Sequence, residues 1–328
     1  MKILVIFTGG TIGSSVEDGW ITTDSDTKYK LIELYRKRHN DLFTEFNYVT
    51  PYFVLSENLS ATELTKLAKC IQENIQKDYD GIIVTHGTDT LQYTSAALSF
   101  MFADANLPIV LVSSAFPLED CRANGVDNFN AAVKFINAKA GTGLFVSYKN
   151  SFENTVNVHN GTRVISHMEA SADVFSIDGN PYAFYKDENI VCNKYFVGKK
   201  TGRSIGAIDF CDYPDVLVID SHPGDRFNYD PQDYKAIVLV PFHSATLNTD
   251  NERFKVFLKK ANLFGIPVFL VNASSGTQYE STKIYDDFNI TVLPMCTKSA
   301  IYMKCWIAVS KGENIKDFVT TPITEEFI

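Results

Sequence analysis

Short apolar runs, set between polar clusters that favour turns, recur along the first half of the chain. Ile3-Leu4-Val5-Ile6-Phe7, Gly81-Ile82-Ile83-Val84 and Pro108-Ile109-Val110-Leu111-Val112 show no alternation. Runs of that kind read as strands buried on both faces of a parallel sheet. Segments of helical period lie between them. Lys28 to Arg38 is charged and helical. Ala61 to Gln76 spaces Leu64, Leu67, Ile71 and Ile75 along one face, with Ser60 as N-cap and Glu63 completing a capping box. Thr90 to about Ala103 is apolar nearly all round, which predicts a helix covered on every side. Asn128 to Ala138 gives a further helix and Thr142 to Ser147 a further strand. Tyr48 to Leu55 reads as extended. Ser14 to Asp26, polar and centred on Gly19, reads as a mobile surface loop.

This order predicts an α/β fold with a larger N-terminal, doubly wound, mainly parallel sheet and right-handed crossovers. From about Ala183 to Gly206 the pattern fades into a polar, lysine-containing stretch. It resumes with strands at Val216–Asp220, Ala236–Val240 and Pro267–Val271. Helices are expected near Asp233, at Asp250–Leu263 and at Ser299–Ser310. That second set forms a smaller C-terminal α/β domain. The expected division is residues 1–185 for the N-terminal domain with the candidate site, 186–212 for a linker and 213–328 for the C-terminal domain. With 328 residues the chain is longer than a single core usually serves, which agrees with two domains.

Charge narrows the possible partners. A net charge of −9 argues against a nucleic-acid groove or an anionic membrane surface. The six cysteines are scattered without a C-x-x-C pair and read as reduced, mostly buried small side chains. The amino terminus enters a strand without a cleavable signal pattern, and no apolar stretch approaches the ~20 residues of a membrane span. A cytoplasmic protein is the expectation.

Candidate chemistry sits in two turns, each directly after an apolar run. Thr8-Gly9-Gly10-Thr11-Ile12 follows the first strand and Thr85-His86-Gly87-Thr88-Asp89-Thr90 follows the strand at 81. In parallel sheets ligands bind beyond the carboxyl ends of strands, where the topology changes direction. Gly9 and Gly10 let the backbone turn sharply, so the Thr11 hydroxyl can approach a carbonyl carbon as a nucleophile. The plain alternative is a strand-to-loop turn whose threonine caps local structure. A dinucleotide site fits less well, because the full G-x-G-x-x-G pattern is absent. Thr88 offers a second hydroxyl, and Asp89 a carboxylate suited to an ammonium group, while either residue can also cap the following helix. His86 reads as packed or turn-stabilising rather than as a base.

T-G-G-T-I and H-G-T-D-T, complete and in this order, make the chain resemble the bacterial-type L-asparaginase family. The likeness is nearest to its cytoplasmic type I branch. It runs on through Tyr93 to Phe100, Pro117-Leu118 and Asn130-Ala131-Ala132, and more faintly through His222-Pro223-Gly224 to the final helix. The resemblance implies hydrolysis of L-asparagine to aspartate and ammonia. Thr11 would be the nucleophile and Thr88 would assist proton transfer or activate water. Asp89 would hold the α-ammonium and Ser56 the α-carboxylate. It also implies that no metal or organic cofactor is required, and a homo-oligomer, dimer or tetramer.

Two positions depart from the family pattern. The family's lid tyrosine corresponds to Trp20, whose indole N–H only donates. The family's lysine, at the end of a segment beginning G-x-R, corresponds to Ser166 in Gly161-Thr162-Arg163-Val164-Ile165-Ser166, with His167 one place on. Serine is short and uncharged. His167 is a possible base, but adjacent side chains of an extended segment point to opposite faces. Three readings follow: an asparaginase with altered proton transfer, an inactive relative that binds a small amino acid or amide, and an amidase for another amide such as glutamine. A tRNA-dependent amidotransferase component uses the same motifs, but neither an extra N-terminal domain nor a basic surface is evident to support it.

Overall fold

The computed structural model describes the chain except residues 18–19, 24–26, 167–170, 199–200, 202 and 273–278; at 15–17, 20–23, 27–28 and 166 it describes the backbone only. Strand β1 (Lys2–Phe7) leads to a ribbon of β2 (Ser14–Glu17) and β3 (Trp20–Thr23), then to helix α1 (Thr27–His39), β4 (Glu45–Val49) and α2 (Ala61–Asn74). β5 (Gly81–Thr85), α3 (Leu91–Met101), β6 (Pro108–Val112), α4 (Gly125–Asn137) and β7 (Gly143–Tyr148) continue the alternation. Five further strands follow: β8 (Val156–Asn160), β9 (Val164–Ser166), β10 (Val174–Ser176), β11 (Ala183–Lys186) and β12 (Asn189–Cys192). The C-terminal part contains β13 (Val216–Asp220), β14 (Ala236–Val240), α5 (Glu252–Leu263), β15 (Val268–Leu270), α6 (Ile284–Asp287), β16 (Ile290–Val292), α7 (Lys298–Lys311) and α8 (Ile315–Thr320).

Eight strands form the large sheet in the order β12-β11-β8-β7-β6-β5-β1-β4. The five from β7 to β4 are parallel, and β8, β11 and β12 add an antiparallel edge. The smaller sheet, β13-β14-β15-β16, is wholly parallel. The expected α/β architecture, a large mainly parallel sheet with a smaller C-terminal one, is therefore present. Chain order places β4 on one side of β1 and β5 on the other, so the direction of winding reverses at β1. The crevice at the ends of β1 and β5 is thus a topological switch point.

Side chains of the parallel strands alternate between two apolar layers. Leu4, Ile6, Ile82, Val84, Ile109 and Leu111 face α2 and α3, while Ile3, Val5, Ile83, Val110 and Val112 face α1 and α4. Helix α7 joins the halves: Ala300, Met303 and Ile307 enter the core of the large sheet, and Ile301 and Cys305 that of the small one. Among the described residues no helix is long and apolar enough to cross a membrane.

Two stretches differ from expectation. Within the expected loop at 14–26, of which 18–19 and 24–26 lie outside the described residues, β2 and β3 pair antiparallel, Ser14 opposite Thr23 and Glu17 opposite Trp20. Within the expected linker, β12 pairs with β11 and extends the large sheet.

The capping box of α2 is formed: Thr62 N donates to Ser60 Oγ at 3.3 Å and Ser60 N to Glu63 Oε2 at 3.2 Å. Ser60→Ala is expected to cost about 1 kcal/mol, seen as a lower urea midpoint of the N-terminal domain. An unchanged midpoint would show that α2 is held by packing alone.

Candidate active site

Strands β1 and β5 are latched where they end. Thr8 Oγ1 donates to the Thr85 carbonyl at 2.6 Å, and Thr8 N donates to Thr85 Oγ1 at 3.4 Å. Beyond the latch the chain leaves β1 through two left-handed residues, Gly9 at φ 102° and Gly10 at φ 74°. Gly10 N donates to the Val54 carbonyl at 2.9 Å, and Val54 N to the Thr8 carbonyl at 3.1 Å, which draws the segment after β4 to the same place.

A Cβ on Gly10 would stand 2.4 Å from Gly87 N, and one on Gly87 would stand 2.3 Å from Ser56 Oγ. Only glycine permits such approaches. The two signature turns therefore touch backbone to backbone, with the Ser56 segment against them, and Thr11 opens a single 3-10 turn, Thr11–Gly13, at the junction. Ser56, buried, opens another, Ser56–Asn58. Its hydroxyl donates to Asp89 Oδ2 at 3.0 Å, and its carbonyl accepts from Thr90 Oγ1 at 3.0 Å. Thr11 and Thr88 are half-buried, and Asp89 is exposed at the mouth. The turns that carry the Thr11 hydroxyl, the Thr88 hydroxyl and the Asp89 carboxylate thus lie against one another.

His86 is buried beneath it. Its backbone N donates to the Val112 carbonyl and its Nδ1–H to the Gly87 carbonyl, both at 2.8 Å. Burial lowers its pKa to about 4, so the ring is neutral at physiological pH and braces the turn. Among the described residues no lysine or arginine pairs with Asp89, and no three His, Cys, Asp or Glu side chains gather as a metal site.

The backbone of Ser166 ends β9, opposite Val174 of β10. Its side chain, that of Trp20, and His167 as a whole lie outside the described residues. Sequence reasoning does not reveal the support that Thr90 and Val54 give to the Ser56 segment and the Gly10 turn. Thr90 closes the H-G-T-D-T signature, and that position is the available signal for the first. Nothing local marks Val54.

A family model described as "Asparaginase, N-terminal" matches residues 2–195. The chain belongs to the asparaginase family. It is 32% identical over 203 residues to an L-asparaginase of Thermococcus kodakarensis, covering 60% of this chain and 58% of that protein. It is also 30% identical over 229 residues to a glutamyl-tRNA(Gln) amidotransferase component of Methanobrevibacter smithii, covering 68% of this chain and 51% of that protein. The chain thus spans about half the length of such amidotransferase relatives. In fold it is similar to the solved thermostable L-asparaginase of Thermococcus kodakarensis. The TM-score is 0.81 at 22% identity, over 100% of this chain and 99% of the other.

Because His86 binds no proton in the folded state until pH falls to about 4, whereas an unfolded histidine titrates near 6.5, folding is linked to pH. The unfolded chain holds the extra proton between these values, so the stability from neutral His86 is complete above pH 6.5 and declines as pH falls toward 4. His159, also buried, with its pKa lowered to about 3, acts in the same sense. His86→Gln should flatten the stability–pH slope in this window by about 1.4 kcal/mol per pH unit, measured by urea unfolding. An unaltered slope would place the linkage elsewhere.

Proposed function

We propose that this family member is an amidohydrolase acting on the side-chain amide of L-asparagine. The support is the direct contact of the Gly10 and Gly87 backbones, which brings together the two turns that carry Thr11 and Thr88. The Thr11 hydroxyl adds to the amide carbon, and its proton passes to the amide nitrogen. The tetrahedral intermediate expels ammonia, leaving an aspartyl ester on Thr11. Water then adds to that ester, and its hydrolysis frees aspartate and restores the hydroxyl. Asp89 binds the α-ammonium by charge-assisted hydrogen bonds, and the neighbouring Ser56 hydroxyl serves the α-carboxylate. Thr88 assists that proton movement.

Trp20 and Ser166 set the expected rate. A single acid–base or positioning group is typically worth ~10²–10⁴ in rate, so hydrolysis without a phenol and a lysine at these positions is slow. The likeness to type I enzymes supports a homo-oligomer, dimer or tetramer.

A second reading draws on the archaeal amidotransferase relatives. In it the same Thr11 chemistry frees an amide nitrogen that is passed to a partner protein instead of released. Turnover of asparagine or glutamine by the chain alone separates the two.

Ammonia release from L-asparagine at neutral pH is expected, and Thr11→Ala should lower it by at least about 10³-fold. Ser166→Lys should raise kcat by about 10²-fold. Saturable asparagine binding with no release above the Thr11→Ala variant would leave a ligand-binding relative in place of an enzyme.

A further inference from the structure

Residues 204–211, which fall within the expected linker, cross three helices and bond to each. Where α3 ends, Ile205 N donates to the Phe100 carbonyl at 3.4 Å and Gly206 N to the Met101 carbonyl at 3.0 Å, and Ser204 Oγ also donates to Met101. Carbonyls at a helix end have no partner in the helix itself, so this segment satisfies them. On α2, Thr65, Lys69 and Gln72 stand at i, i+4 and i+7, along one face. Thr65 Oγ1 accepts from Phe210 N at 3.0 Å, Lys69 pairs with Asp209, and Gln72 Oε1 accepts from Ala207 N at 3.3 Å. Helix α7 takes the far end. Cys211 N donates to Ser310 Oγ at 3.1 Å, and the Cys211 carbonyl accepts from Trp306 Nε1 at 2.9 Å. The buried Phe210 ring meets the Trp306 ring edge to face, with centroids 5.2 Å apart.

The two helices bridged in this way each start at the candidate site. α2 starts just after the Ser56–Asn58 turn, and Leu59 N donates to the Ser56 carbonyl at 3.1 Å. α3 starts directly after Thr88-Asp89-Thr90, and Leu91 N donates to the Thr88 carbonyl at 3.3 Å. The bonds from Ser56 to Asp89 and from Thr90 to Ser56 therefore join the N-terminal ends of α2 and α3. Both helices lie on one face of the large sheet through apolar contacts. Such contacts are non-directional and leave the position along each helix axis weakly set. Hydrogen bonds are directional, and residues 204–211 supply them to both helices.

We propose that residues 204–211 are a brace that sets α2 and α3 relative to each other, and thereby the spacing of Ser56 from Asp89 at their N-terminal ends. Thr65 and Ser310 are positioning residues: Thr65 ties the brace to α2 and Ser310 ties it to α7. The consequence for the substrate rests on the hydrolase reading given above; the consequence for the two turns does not.

The test uses the full chain. Thr65→Val removes the acceptor for Phe210 N and keeps the branched shape, whereas Thr65→Ser keeps the hydroxyl. Ser310→Ala removes the acceptor for Cys211 N at the opposite end of the brace. Hydrogen exchange followed by mass spectrometry should show peptides covering 56–60 and 88–94 exchanging at least about fivefold faster in Thr65→Val and about threefold faster in Ser310→Ala. In Thr65→Ser they should stay within about twofold of the parent, and β6, β7 and the small sheet should be unaffected in all three. With asparagine, Thr65→Val should raise KM about tenfold and leave kcat within about threefold, because Ser56 and Asp89 hold the α-groups while Thr11 is carried by β1.

Unchanged exchange at 88–94 in Thr65→Val overturns the proposal, since the substitution would then act on α2 alone. So does an effect of Thr65→Val that Ser310→Ala does not share. Loss of protection across both sheets would make the segment a general stabiliser and overturns it as well. Should Thr65→Val not fold, Gln72→Ala removes a neighbouring bond of the brace and is judged by the same readings. A parent protein that releases no ammonia would sink the hydrolase reading while the exchange result stands by itself.

Discussion

Two backbones meet where β1 and β5 end, at a spacing that admits no side chain on either. Gly10 and Gly87 approach so closely that a Cβ on Gly10 would lie 2.4 Å from the Gly87 nitrogen. Everything at the crevice follows from that contact. It brings the Thr11 turn, which leaves β1 through two left-handed glycines, against the Thr88 turn, which leaves β5 above a buried neutral histidine. The switch in winding direction explains why those two strands are neighbours at all. The Thr8–Thr85 latch holds their ends level, so the turns that carry the hydroxyls spring from strand ends fixed against each other. Rigid strands place reacting groups more closely than free loops do.

A second constraint acts from the other half of the molecule. Helix α7 is apolar on opposite sides because it fills both cores, yet it contains Lys304, which is fully buried. Burial alone would drive the ammonium toward its neutral form, and the Glu326 carboxylate opposes that. A buried pair of this kind adds little net stability compared with apolar side chains, but losing one partner costs about 3–5 kcal/mol. Its effect is therefore on specificity of arrangement. The carboxyl-terminal tail has one way to lie, and that way presents Glu325 to Asn160 in the turn before β9.

What is legible in the sequence divides along the same lines. The strands at 3–7, 81–85, 108–112 and 236–240 are readable because a strand buried on both faces of a parallel sheet is apolar without interruption. The α2 start is readable because a capping box is local. β8 escapes such a reading because its sequence, Val-Asn-Val-His-Asn, has polar residues that are buried and bonded rather than facing water. β12 reads as linker because an exposed edge strand of four residues carries little apolar signal. The β2–β3 ribbon reads as a loop for the same reason: Ser14-Ser15 and Thr22-Thr23 lie opposite each other without an apolar run between turn residues.

The crevice shows the limit more sharply. Each signature turn is visible as a short motif, and the spacing of glycine and threonine suggests the chemistry each can do. That Gly10 must meet Gly87 and that Gly87 must meet Ser56 depends on three strands being in register, which no local pattern encodes. The same holds for Asn160 and Glu325, 165 residues apart in sequence and 2.6 Å apart in space. An amide and a carboxylate so far apart in sequence look like ordinary surface residues until the fold buries them against each other. Buried polar groups are costly unless satisfied, so such pairs are where the fold is most strictly specified and the sequence least informative. At this protein's crevice the reacting groups come from readable local motifs, while their mutual placement comes from contacts that only the folded chain creates.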